Sequence, residues 1–174
     1  MRRLLLLRHA KSDRSLPGMR DHDRPLTPRG VAAASQIGAY MARHDVRPDH
    51  TLCSTATRTR DTWMLVAKAI ENPPATFDDR LYDAAPAAIL EVLRETARDL
   101  HCLLVVGHNP GMQDTARQLI ASGDVDARER LQEKFPTAGL AVIDFAFDDW
   151  KKLHRHSGRL DRFVTPRSLD AATD

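Results

Sequence analysis

Three places in the 174-residue chain put cationic side chains directly after a short apolar run. Leu4–Leu7 is followed by Arg8 and His9, and Thr51-Leu52-Cys53 by Ser54 and, one helical turn on, Arg58. Cys102–Val106 is followed by Gly107-His108-Asn109-Pro110-Gly111. Two arginines and two histidines gathered in one place repel each other unless an anion balances them. A dianionic phosphoryl group suits such a site, because arginine offers paired donors to its oxygens. Neighbouring arginines also disfavour the protonated imidazole, and a neutral imidazole nitrogen is a nucleophile at pH 7. On this reading His9 attacks phosphorus, Arg8 and Arg58 clamp its oxygens, and His108 steadies charge that develops during transfer. A lone histidine after a strand, or a lone arginine in a first helical turn, is more often a solvated residue. The weight lies in the same chemistry recurring at separate strand ends.

The elements needed to bring these residues together are legible as an alternation of strand and helix. Leu4–Leu7 and Cys102–Val106 are unbroken apolar runs, expected of strands covered on both faces. Residues 11–26, with Pro17, Gly18 and Pro25, read as a loop. Thr27-Pro28 opens a helix, Thr as its cap and Pro in its first turn, with Val31, Ala34, Ile37 and Met41 as the apolar face. His50–Ser54 reads as a strand, Thr55–Ile70 as a helix stopped by Asn72-Pro73-Pro74, and Pro86–Leu100 as another helix. Asn109 is expected to cap a further helix, with Pro110 in its first position, running to about Ala121. Its N-terminus would then offer backbone N–H groups and a favourable dipole to an anion. Leu140–Phe145 reads as a strand, Trp150–His156 and Arg159–Val164 as candidate edge strands, and the chain is expected to fray from Ser168. The fold class is therefore α/β, a single domain over residues 1–167 with a mainly parallel sheet and helices on both faces. Ligands of such sheets bind beyond the carboxyl ends of the strands.

Composition narrows the function further. Hydrophobic residues make up 42% of the chain and charged residues 29%, typical of a globular protein. A formal charge of +2 with no basic stripe argues against a nucleic-acid partner. Cys53 and Cys102 sit in apolar runs and read as buried thiols. The four-leucine run after Met1-Arg2-Arg3 is shorter than a signal-peptide core, and no stretch approaches the length of a membrane span. A cytoplasmic protein with no membrane association is expected. His154 and His156, alternating on their expected strand, lack a third and fourth ligand for a metal, so no metal site is expected. The phosphate-cradling and dinucleotide-binding glycine motifs are both absent. Trp63 and Trp150 read as packing residues, and His22 as a solvated loop residue.

Leu6-Leu7-Arg8-His9-Ala10-Lys11-Ser12 resembles the Arg-His-Gly signature of the histidine phosphatase superfamily, which includes the phosphoglycerate mutases. Ser54, Arg58 and Thr62 resemble its Ser-x-x-x-Arg-x-x-x-Thr element, and Val105–Gly111 its second histidine motif. Arg24–Gly30 and Phe135-Pro136-Thr137-Ala138 are similar to the small SixA-type phosphohistidine phosphatases. The resemblance spans roughly residues 3–165 and implies a three-layer, phosphoglycerate mutase-like α/β/α sandwich. It implies that His9 accepts the phosphoryl group while Arg8, Arg58 and His108 bind its oxygens, and that Ser12 lies near the phosphate. Ala10 stands where the superfamily prefers Gly. Asp83 is the nearest match to the carboxylate that protonates the leaving group in many members; a turn residue before the next helix is the equal alternative. Arg24 is a further candidate for reaching substrate.

The resulting expectation is a two-step phosphatase without metal or organic cofactor. The short stretch from Arg80 to Pro86 leaves little chain for a lid, which favours a phosphorylated protein as substrate over a small phosphate ester. A mutase needs a closed, water-free pocket; a binding module would use the same arginines without turnover.

Overall fold

Four consecutive leucines in one strand send alternate side chains to opposite sides, so both sides must be covered. In the computed structural model, which describes residues 1–173, Leu4 and Leu6 join one buried cluster and Leu5 and Leu7 another. The strand that carries them is β1 (Arg2–Arg8). It is joined by β2 (His50–Cys53), β3 (Ala75–Phe77), β4 (Cys102–Gly107), β5 (Ile120–Gly123), β6 (Leu140–Phe145) and β7 (Gly158–Val164). The sheet order is β3-β2-β4-β1-β6-β7-β5. β1 pairs parallel with β4 and antiparallel with β6; β6 is the strand that runs against the others.

The helices are α1 (Pro28–Arg43), α2 (Thr57–Ala69), α3 (Pro86–Arg94), α4 (Gly111–Leu119), α5 (Val125–Glu133) and α6 (Pro166–Thr173). α1 and α2 supply Ala34, Ile37, Met41, Trp63 and Val66 to the cluster around Leu5 and Leu7. α3, α4 and α5 supply Ile89, Leu93, Met112 and Leu131 to the cluster around Leu4 and Leu6. This is the expected single-domain three-layer α/β/α sandwich. Thr27 caps α1 as expected, its hydroxyl oxygen accepting from Gly30 N at 3.0 Å. Trp63 and Trp150 are both buried.

Several local expectations are corrected. Residues 168–173 form most of α6 instead of fraying, and Leu169 packs against the core; Asp174 lies outside the described residues. Trp150–His156 is not a strand. Trp150 is fully buried, its indole N–H donates to Leu100 O at 2.7 Å, and a turn of 3-10 helix begins there. His154 and His156 therefore sit in an exposed turn. Val31 is 42% exposed; Gly30 takes the buried position, since a Cβ there would meet Lys11 O at 2.1 Å. α3 ends at Arg94, short of Leu100. β3, β5 and α5 were not expected: the strands are short, and α5 buries only Ala127 and Leu131, one turn apart. No helix among the described residues is long and apolar enough to cross a membrane.

Candidate active site

Because β1, β2 and β4 are parallel neighbours, their carboxyl ends open on the same edge of the sheet. Arg8 pairs in register with Gly107, and Cys53 with Val106. Backbone bonds beyond the strands keep the ends together: His9 N donates to Gly107 O, and Ser54 N to Val106 O, each at 3.0 Å. The predicted quartet of Arg8, His9, Arg58 and His108 consequently lines one cleft of about 230 Å3. Arg14, Arg24, Asp21, Asp83 and Asn109 complete it, so four arginines face two aspartates.

His9 is 7% exposed. Its Nδ1 lies 2.7 Å from Ala10 O. A carbonyl oxygen only accepts, so Nδ1 carries the hydrogen and Nε2 keeps the lone pair. Burial, seconded by Arg58, Arg8 and Arg24 and opposed by that bond, pushes the imidazole down to about 3. Ala10 N is held in turn by Thr62 Oγ1 at 2.9 Å, and the Thr62 hydroxyl donates to Arg58 O at 2.7 Å. The spacing of Ser54, Arg58 and Thr62 thus has a structural account. Arg58 enters the cleft, Thr62 one turn later braces the backbone beside the imidazole, and Ser54 holds the second histidine.

That second histidine, His108, places Nε2 2.8 Å from Ser54 Oγ. Ser54 Oγ accepts from Ala56 N at 3.3 Å and can give its hydroxyl hydrogen to Nε2; the Asp83 carboxylate facing Nδ1 favours the tautomer with the ring hydrogen on Nδ1. Nδ1 is buried without a hydrogen-bond partner, 3.6 Å from Asp83 Oδ1. Burial, then His9 and Arg58, push His108 down to about 3 as well. The two rings lie 5.3 Å apart between centroids.

Arg58 is 3% exposed and donates to Asp21 O at 2.8 Å and to Asp21 Oδ2 at 3.1 Å. Arg8 donates to Phe135 O at 3.0 Å. Burial and the nearby Arg14 and Arg58 lower the Arg8 pKa, but a guanidinium remains charged in a protein. The Nε atoms of Arg8 and Arg58, like His108 Nδ1, are buried and unpartnered. Buried donors without acceptors are rare in folded proteins because each costs free energy. Arg2 Nε and Arg117 Nε are unpartnered too; what marks the cleft is that three such groups gather where four arginines converge, a setting that suits an anion rich in acceptor oxygens.

The remaining sequence candidates are placed less uniformly. Arg24 lines the cleft but is held by Asp21 Oδ1 at 2.8 Å and Ser12 Oγ at 2.8 Å. Ser12 is buried behind Arg24 and does not line the cleft. Asp83 satisfies both of its readings: its φ of 47° marks a turn residue, and its side chain lines the cleft, half exposed. The approach of Ala84 to α4 helps hold it there, since a Cβ on Gly111 would stand 2.0 Å from Ala84 O. His22 is half-buried instead of solvated, packed edge-on against Tyr82 at 4.9 Å and bonded to Thr55 Oγ1. α4 begins at Gly111, after a cis Asn109–Pro110 bond, so Pro110 precedes the helix. Its early amides are consumed locally, Met112 N by His108 O and Gln113 N by Asn109 Oδ1. These two N–H groups do not serve the cleft as expected.

Asp21 and Tyr82 were not anticipated. The Tyr82 hydroxyl, Arg24 and Arg58 hold the Asp21 carboxyl well below the usual carboxylate range. Asp21 opens one short 3-10 turn and Tyr82 follows another, and their roles depend on partners dozens of residues away. The acidic run Asp21-His22-Asp23 was a signal, but one shared with any polar loop. Among the described residues no group of three His, Cys, Asp or Glu side chains is arranged to hold a metal ion.

An uncharged imidazole ringed by fixed guanidinium groups at the carboxyl edge of an α/β sheet defines a site for phosphate-type oxyanions. The family model of the histidine phosphatase superfamily (branch 1) matches residues 4–86. An uncharacterized protein of Mycobacterium tuberculosis strain H37Rv is 40% identical over 164 residues, covering 92% of this chain and all of that one. The crystal structure of a candidate phosphohistidine phosphatase SixA from Agrobacterium tumefaciens is 34% identical. It superposes with a TM-score of 0.81 over 95% of this chain and 98% of that one. A second SixA candidate, from a Nakamurella species, is 31% identical with a TM-score of 0.83, covering 95% of this chain and 96% of that one. The chain belongs to the histidine phosphatase superfamily, as its three motifs implied.

Proposed function

We propose that the protein is a phosphatase that works through a covalent phosphohistidine on His9, with phosphohistidine side chains of other proteins as substrates. The observation that carries this reading is His9 itself: a neutral ring with Nδ1–H engaged by Ala10 O and its Nε2 lone pair free. Around it stand the unpartnered donors of Arg8, Arg58 and His108. In the first step Nε2 attacks phosphorus in line, forming a P–N bond as the bond to the leaving group breaks. Arg8, Arg58 and His108 hold the equatorial oxygens. An arriving phosphoryl group competes with the Asp21 carboxylate for Arg58, which frees paired donors for its oxygens. Asp83, whose oxygens are not taken up by hydrogen bonds as those of Asp21 are, takes up a proton from solvent and passes it to the leaving nitrogen or oxygen. In the second step water attacks phosphorus, the P–N bond to His9 breaks, and inorganic phosphate departs. No metal is required, because the guanidinium groups supply the positive field.

Two observations favour a protein substrate. At about 230 Å3 the cleft is smaller than ordinary small-molecule pockets, so most of a large substrate lies outside it. The similarity to SixA candidates named as phosphohistidine phosphatases points the same way. Cys53 and Cys102 are free thiols, pushed up to about 12 by burial, which fits a reducing cytosolic compartment.

The test is a substrate panel of a phosphohistidine protein, a phosphoserine peptide and a sugar phosphate, assayed on wild type and on His9→Ala. The expected result is release of one phosphate per substrate, fastest from phosphohistidine, with a phosphorylated His9 trapped by rapid quench and located by mass spectrometry. Undiminished turnover by His9→Ala rejects the nucleophile; transfer to a second hydroxyl without phosphate release makes the protein a mutase; binding without turnover makes it a binding module.

A further inference from the structure

A second depression, of about 520 Å3, lies beside the phosphoryl cleft. Lys11, Arg29, Arg130, Lys134 and Arg167 line it against a single carboxylate, Glu133. All five cations are exposed. Arg130 donates to Phe163 O at 3.0 Å and lies over the Phe163 ring. Among the described residues Lys11, Arg29, Lys134 and Arg167 have no side-chain hydrogen bond or ion pair. Elsewhere on the surface, again among the described residues, Arg47, Arg80, Arg98 and Lys152 each meet a carboxylate while Lys68 and Arg155 do not; the four here differ in lining one depression together with Arg130. Like charges left together without counter-charges raise the local potential and select an anionic occupant.

The depression and the cleft are built on the same two segments. Lys11 follows His9 by two residues, so their Cα atoms are at most about 7 Å apart. Pro136 and Thr137 line the depression, Phe135 O holds Arg8 in the cleft, and Ala138 N donates to Arg8 O and His9 O at 3.1 Å. A polypeptide whose phosphorylated side chain enters the cleft reaches the depression within about five residues. Phe163, the aromatic residue among those lining the depression, is only 4% exposed, so no ring is offered for base stacking. That favours polypeptide over nucleic acid.

We propose that this groove docks an acidic segment flanking the phosphorylated side chain of the substrate protein. The inference rests on the phosphoprotein reading above and adds a selectivity determinant to it. The test uses two phosphohistidine peptides that differ only in a flanking run of Glu or of Gln. A small aryl phosphate, too short to reach the groove, serves as control. Wild type should prefer the Glu peptide in kcat/KM by about tenfold at low salt, given a few exposed ion pairs of ordinary strength. The preference should fade toward 1 M salt, where the Debye length is about 3 Å. The triple variant Arg29→Glu, Lys134→Glu, Arg167→Glu should lose the preference and keep wild-type activity on the aryl phosphate, which also reports that it folds. Equal rates on the two peptides, or a preference that survives the triple substitution, overturn the groove. If neither peptide is hydrolysed while the aryl phosphate is, the phosphoprotein reading has failed. Anisotropy of a labelled polyglutamate peptide then judges the groove alone: binding to wild type and not to the variant sustains it, and no binding, or tighter binding of duplex DNA, overturns it.

Discussion

Two cationic regions lie side by side in this molecule and are built in opposite ways. In the cleft Arg58 is nearly buried and fixed by Asp21, and Arg8 is anchored on a backbone carbonyl. In the groove Lys11, Arg29, Lys134 and Arg167 are exposed and untethered. Fixed, desolvated donors cost free energy to assemble, but they need no reorganisation when charge moves, which is what a transition state rewards. Mobile charges in high dielectric are individually weak and screened by salt. They suit attraction and choice of partner. The difference teaches that the sign of a patch says little about its role, whereas burial and tethering say much.

Changes in the cleft should therefore act on the chemical step, and changes in the groove on encounter. The largest effect is expected from Arg58→Ala: loss of a pre-set donor to the phosphoryl oxygens should lower kcat by about 10²–10³-fold, on the aryl phosphate and on peptides alike. A loss confined to peptides would erase the distinction between the two regions.

Next in size is the acid response of the neutral imidazoles. His9 and His108 are pushed down to about 3 from the usual 6.5. Between those values the unfolded chain binds more protons than the folded one, so stability is lost as pH falls from about 6.5. The slope approaches about 1.4 kcal/mol per pH unit for each ring. Urea unfolding of wild type from pH 7 to pH 4 should show this fall, and His108→Asn should flatten it; parallel slopes would mean that the ring is charged in the native state.

Thr62→Val tests the bracing behind the nucleophile. It leaves the buried Ala10 N–H without its acceptor, and a stability loss of about 1–3 kcal/mol is expected by urea midpoint, with kcat falling and KM for the aryl phosphate little changed. An unchanged kcat would show that Ala10 is held adequately by its other contacts.

The smallest effect should come from salt. Raising ionic strength from about 0.05 to 0.5 M should change kcat for a peptide by less than twofold while raising its KM by several-fold, because only the exposed cations are screened. A kcat that falls in step would place solvent-screened charges within the chemical step.

Much of the cleft was legible beforehand because each of Arg8, His9, Arg58 and His108 sits at, or one turn beyond, the end of an apolar run. Such runs become buried strands, and parallel strands expose their carboxyl ends on one edge. Asp21 and Tyr82 were illegible because a loop carboxylate and a tyrosine acquire meaning only from each other and from Arg58, across the fold. Ser12 was read as a phosphate neighbour, yet its hydroxyl supports Arg24. Proximity in the chain to His9 carried no information about direction. The edge elements were missed for a related reason: β3 is three residues long and β5 four, and their pairing is decided by neighbouring strands rather than by their own composition.

By itself the sequence determined the layered α/β architecture, the identity of the nucleophile candidate and the cationic character of its surroundings. These follow from local apolar runs and from side-chain chemistry, which do not depend on distant partners. The tertiary structure alone decided that burial, more than the arginines, keeps both imidazoles uncharged, which of their nitrogens are engaged, and that three buried donors await an acceptor. Desolvation and hydrogen-bond direction are properties of the packed interior, set by residues far apart in the chain, and no reading of neighbours along the sequence contains them.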